Sequence, residues 1–144
     1  MDETAFRQRL SGMIERPCTF GKAVLARCVA CSRSERIQIA EREVVSCRDA
    51  ASLSRCTSLH ERLRHNFSFA LRKTSEHAVL SHAQEMRIQC GGLKGLHQVL
   101  YDDCEVEDVD ALLASILMRW GDLADLPYSE VVHAAALCYK GRHG

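Results

Sequence analysis

The stretch that decides the reading runs from Cys18 to Cys56: CTFGKAVLARCVACSRSERIQIAEREVVSCRDAASLSRC. It contains five of the chain's eight cysteines, Cys18, Cys28, Cys31, Cys47 and Cys56, and no proline. Apolar residues recur at intervals of three and four, first Phe20, Val24 and Cys28, then Ile37, Ala40 and Val44, the spacing of amphipathic helices. Helix-start residues fall where apolar stripes begin: Thr19, Ser32 with Glu35 three positions on, Asp49, and Ser58 with Glu61. On this reading Cys18, Cys31, Cys47 and Cys56 each lie at a helix boundary. Unpaired backbone N–H groups and the macrodipole there lower a thiol pKa and favour thiolate.

The same periodicity extends in both directions: Phe6, Leu10 and Met13 before the stretch, then Leu59, Leu63, Phe67 and Ala70, and later Val106, Val109, Leu113, Ile116, Leu117 and Trp120. Further start signals are Ser81 with Gln84, Asp103 and Pro127, and the only prolines are Pro17 and Pro127. The expected fold is all-α, a compact bundle of about seven short helices with a Cys-rich metal site at helix ends. With 144 residues, 47% hydrophobic and 26% charged, the chain is expected to fold as a single helical domain over 1–144 rather than stay disordered. Within it, residues 1–100 form a basic lobe of net charge +6 and residues 101–144 an acidic lobe of net charge −6. The two are expected to pack against each other.

The overall charge of +0 gives no electrostatic argument for nucleic acid or an acidic membrane. The segment HERLRHNFSFALRK, residues 60–73, carries Arg62, Arg64, Arg72 and Lys73, but it reads more simply as a solvated face with core aromatics than as a phosphate-contacting helix. No apolar run approaches the roughly 18 residues of a membrane span, and the start MDETAFRQRL lacks the apolar core of a secretory signal. A cytoplasmic location is therefore expected. In a reducing cytosol, eight thiols point to metal or redox chemistry before disulfides.

Four scattered thiolates at Cys18, Cys31, Cys47 and Cys56, with gaps of 12, 15 and 8 residues between them, suit a 4Fe-4S cluster gripped from several helix ends. They suit less well a zinc held by two tight knuckles, the alternative cofactor. Cys28, one turn from Cys31, and Cys90, which opens CGGLKG, are reserve ligands. His60, four residues after Cys56, is the side chain that would tip the site toward zinc. Gly91 and Gly95 have the spacing that lets two helices approach, and Cys104 and Cys138 read as packing residues. The expected function is electron transfer or redox and oxygen sensing through a fully ligated cluster, with a redox partner protein. The alternatives are a zinc-stabilised or metal-free helical interaction module and a thiol-dependent enzyme.

Overall fold

The computed structural model describes residues 16–68 and 79–140. The Phe6, Leu10, Met13 stripe and the end of the basic segment, from Phe69 to Lys73, lie outside the described residues. A short helix α1 (Gly21–Leu25) leads into a two-stranded antiparallel sheet of β1 (Ser34–Ile39) and β2 (Arg42–Cys47). Helix α2 (Ala50–Phe67) follows, then one continuous rod in which α3 (His82–Met86) passes through a π turn at Arg87–Gly91 into α4 (Gly92–Tyr101). Helix α5 (Val109–Trp120), a 3-10 turn at Leu123–Asp125 and α6 (Tyr128–Cys138) complete the described chain.

The bundle of about seven helices is therefore corrected: the architecture is mostly helical but includes a β-hairpin where a helix over Ile37, Ala40 and Val44 was expected. The register pairs Ile37 with Val44 and Ile39 with Arg42, so Ile37, Ile39 and Val44 share one face, forming a small apolar cluster of their own. Val45 and Cys47, two residues apart, are buried on the other face. That alternation, carried by β-branched side chains, is the signature of a strand. The strands are joined by Ala40 and Glu41, with Ala40 in the left-handed region at φ 56°. Ser32 and Glu35 consequently cap nothing; Ser34 pairs across from Cys47.

Helix starts elsewhere follow local chemistry. The Asp49 side chain accepts from the Ser52 N–H at the head of α2, and Ser81 and Gln84 form a reciprocal capping box at α3. Asp108, rather than Asp103, caps α5. Ser58 lies inside α2.

One apolar core draws on α1, α2, the π turn, α4, α5 and α6 through Ala23, Leu59, Ile88, Leu93, Ile116 and Val131, each 0% exposed, with Phe20 just before α1. Helices α4 and α6 meet where Gly95 faces the backbone of Val131 and Ala135: a β-carbon there would stand 2.6 Å from Val131 O. Glycine at 95 is a steric requirement of this contact. Two ion pairs of Asp110, to Arg33 Nε at 3.3 Å and to Arg55 at 3.7 Å, join the acidic part of the chain to the basic part. Among the described residues no helix is long and apolar enough to cross a membrane.

Candidate functional site: a four-thiol pocket

Four cysteines are bonded in pairs. Cys28 joins Cys90 across 62 residues, and Cys104 joins Cys138 across 34 residues, with Cα–Cα separations of 5.9 and 5.8 Å. The four left as thiols are Cys18, Cys31, Cys47 and Cys56, and all four line one small cavity with Phe20, Arg33, Ser52 and Asp110 among their neighbours.

Separate elements deliver these thiols. Cys18 precedes α1 and is tied to β2, its N–H donating to Val45 O at 2.8 Å, while the Cys47 N–H donates to Arg16 O at 2.7 Å. These bonds flank an isolated bridge between Pro17 and Ser46 and set Cys18 beside the end of β2. Cys31 stands in the loop before β1, its carbonyl accepting from the N–H of Ser34 at 3.2 Å and from its hydroxyl at 2.7 Å. Cys56 projects from the second turn of α2, where the hydroxyls of neighbouring Thr57 and of Thr19 meet at 2.9 Å. About 20 Å³ of free space remains between the side chains, the room of a single water-sized sphere.

The electrostatics run opposite to the expectation of lowered thiol pKa values. Burial, reinforced by the neighbouring thiols Cys31 and Cys47, raises Cys18 to about 11 against an opposing hydrogen bond from the Phe20 backbone. Cys56 is raised to about 12 by burial and by Cys18, Cys31 and Cys47. Burial also raises Cys31, resisted by backbone hydrogen bonds from Arg33 and Asp110. The Cys47 thiol donates to Asp49 O at 3.2 Å. The macrodipole acts within the first turn of a helix, and Cys56, six residues into α2, is beyond it. Desolvation wins.

A polar lid borders the thiols. Ser52, 4% exposed, places its hydroxyl 2.7 Å from both Asp49 Oδ2 and Asp110 Oδ1. Asp110 in turn holds Arg33, yet its carboxylate, with that of Asp108, still raises the Cys31 pKa.

These facts correct the cofactor expectation. Among the described residues no group of three or more His, Cys, Asp or Glu side chains is arranged to hold a metal ion, and half the cysteines are consumed in disulfides. The 4Fe-4S cluster, the electron-transfer or oxygen-sensing role built on it, and the zinc alternative are all set aside. The reserve ligands Cys28 and Cys90 are bonded to each other, and Cys104 and Cys138 form the second bridge rather than separate packing contacts. His60, the zinc-favouring candidate, pairs through Nε2 with Glu85. Sequence reasoning missed Arg33, Ser52 and Asp110 at the pocket; its one signal nearby was Asp49 as a helix start, whose side chain accepts from Ser52. Comparison with known proteins yields no family model, no curated protein and no solved structure that matches this chain.

Proposed function

We propose that the chain, read as one domain, is a guarded thiol–disulfide exchange module that takes two electrons at a time from its four-thiol pocket to a partner carrying a disulfide. The observation that supports this is the convergence of Cys18, Cys31, Cys47 and Cys56 on one cavity too small for an organic ligand, in a chain whose other four cysteines are already paired.

Cys31 is the entry thiol. It is partly exposed, and the backbone N–H groups of Arg33 and Asp110 favour its anion. Its thiolate attacks one sulfur of the partner disulfide; a mixed disulfide forms, the partner S–S bond breaks, and the departing partner sulfur takes up a proton. Cys18, which lines the same cavity as Cys31, then attacks the Cys31 sulfur of the mixed bond. A Cys18–Cys31 disulfide forms and the partner leaves as a dithiol. Two hydrogens and two electrons have moved from pocket to partner.

Raised thiol pKa values leave little thiolate near neutrality, and exchange rates follow the thiolate fraction. Such a site responds to a sustained oxidising shift and turns over poorly, which favours a switch over a catalyst. Two bridges already in place favour an oxidising compartment, while in the cytoplasm bridges of this kind are usually transient.

The test is equilibration in anaerobic glutathione buffers of graded potential, followed by acid quenching, alkylation and mass mapping, with iron and zinc determined on the same sample. The expected result is loss of two alkylatable thiols with a Cys18–Cys31 bond and metal far below one per chain. Four thiols persisting in fully oxidised glutathione, or a stoichiometric metal held by the same four thiols, overturns the proposal.

A further inference from the structure

Cys28 and Cys31 are three residues apart in the segment CVACSR, residues 28–33, yet one is bridged to Cys90 and the other is a free thiol of the pocket. Helix α1 ends at Leu25, and Arg27, just before this segment, has a left-handed φ of 63°. The far end of the bridge, Cys90, is 0% exposed within the π turn. Cys90 is thus closed to a partner arriving from solvent, whereas Cys31 stands three residues along the chain from the partly exposed end of the bridge, Cys28.

We propose that Cys31 exchanges internally with the Cys28–Cys90 bridge, so that the chain alternates between a Cys28–Cys90 and a Cys28–Cys31 pairing. In the step, Cys31 Sγ attacks Cys28 Sγ; the Cys31–Cys28 bond forms, the Cys28–Cys90 bond breaks, and Cys90 Sγ leaves with the proton Cys31 gave up. The number of disulfides is unchanged, so no outside oxidant or reductant takes part. This role rests on the exchange reading of the pocket and extends it to two residues that do not line it.

The backbone shows what the alternation would move. Ala30, between the two cysteines, donates from N to Val106 O at 3.3 Å and accepts at O from Val109 N at 2.9 Å. A bridge between residues three apart needs their Cα atoms within about 7 Å; drawing Val29 and Ala30 into a turn gives up these two bonds and frees the segment that leads into α5. Release of Cys90 also removes the covalent tie between the π turn and the end of α1, leaving the bond from Ala23 N–H to Gln89 Oε1 at 3.1 Å. A covalent change at Cys31 is thus passed to both the Val106–Val109 segment and the α3–α4 rod.

Trypsin separates the two pairings, because it cuts after Arg27 and Arg33 and after Arg87 and Lys94. The purified chain is held near pH 9, where more thiolate is present, without oxidant or reductant, then acid-quenched, alkylated unfolded and digested. The expected product is CVACSR lighter by two hydrogens, with an internal bond, together with alkylated IQCGGLK (residues 88–94). Cys31→Ser should yield only the Cys28–Cys90 cross-link between the peptides of residues 28–33 and 88–94, while Cys18→Ser should keep the rearrangement although it removes the pocket pair proposed above. A wild-type chain that retains only the cross-link, or Cys31→Ser material that still loses it, overturns the inference. Cys18–Cys31 formation in glutathione buffer without any internally bonded CVACSR would overturn this inference alone and leave the pocket reading standing.

Discussion

The Cys104–Cys138 bridge can be removed with two substitutions whose effect the loop it closes makes calculable. The bridge spans 34 residues, and the chain-entropy relation assigns a closure of that length about 3.8 kcal/mol at room temperature. The same relation gives about 4.3 kcal/mol for Cys28–Cys90, which spans 62 residues. Since small domains are held by about 5–15 kcal/mol in all, either bridge is a large share and the two together are comparable with the whole. The double variant Cys104→Ser, Cys138→Ser should therefore lose about 3–4 kcal/mol in urea unfolding followed by far-ultraviolet circular dichroism. It should also show a steeper m-value, because an uncrosslinked denatured chain exposes more surface. Both cysteines are partly exposed, whereas in the other bridge only Cys28 is and Cys90 is sealed in the core, so graded reductant should open Cys104–Cys138 first and reproduce the double variant's curve as an intermediate. A double variant within about 1 kcal/mol of the parent, with an unchanged m-value, would refute the reasoning, since neither the covalent pairing nor the loop entropy would then be supporting the native state.

Two other outcomes are expected. Gly95→Ala should destabilise the chain by about 1–3 kcal/mol, despite the gain of about 1 kcal/mol in helix propensity, because the new β-carbon meets backbone atoms of α6 that cannot rotate away. Gly21→Ala, where the nearest heavy atom would be Val45 Cβ at 3.7 Å, should be neutral or stabilising when both variants are compared by urea unfolding, and equal effects at the two sites would contradict the close-approach argument. At acid pH the Glu85 carboxyl matters: its pKa is lowered first by the hydrogen bond from His60, with help from Gln89 and Lys22 and against burial. A depressed folded-state pKa contributes stability above the ordinary glutamate value that is lost as pH falls through the folded value. Glu85→Gln should flatten stability measured between about pH 6 and pH 3 relative to the parent, and an unchanged slope would remove Glu85 from the account.

Much of the helical frame was legible because its signals are local. Asp49 with Ser52 and Ser81 with Gln84 are caps that the chain makes within three residues, and the Leu59, Leu63, Phe67 stripe buries as its spacing requires. The hairpin was illegible for the opposite reason. Ile37, Ala40 and Val44 imitate a helical stripe, the competing alternation of Ile37 with Ile39 and of Val45 with Cys47 is only two residues long on each strand, and the Ala40–Glu41 turn carries no Asn or Gly to mark it. The bridges were invisible because their partners are brought together by tertiary packing over 62 and 34 residues, and cysteine spacing does not fix connectivity. Reasoning from a reducing compartment then turned the count of eight thiols toward metal.

The thiol site shows where local reasoning about charge stops. Placing a cysteine near a helix start argues for an anion only while the thiol keeps contact with water. Once Cys18, Cys31 and Cys56 share one narrow cavity, each loses hydration, Cys18 and Cys56 would feel the negative charge of neighbouring thiolates and Cys31 that of Asp108 and Asp110, and together these effects outweigh the backbone N–H groups of Phe20, Arg33 and Asp110. Arg33, the cation at the mouth, is held by Asp110 and so offers the thiols little net positive field. The same arrangement that suppresses thiolate keeps the sulfurs adjacent. A pocket of neutral, crowded thiols is slow to start an exchange, and once one sulfur is attacked a neighbour stands ready to resolve it. Slow entry followed by local resolution suits a device that records a lasting change in redox poise.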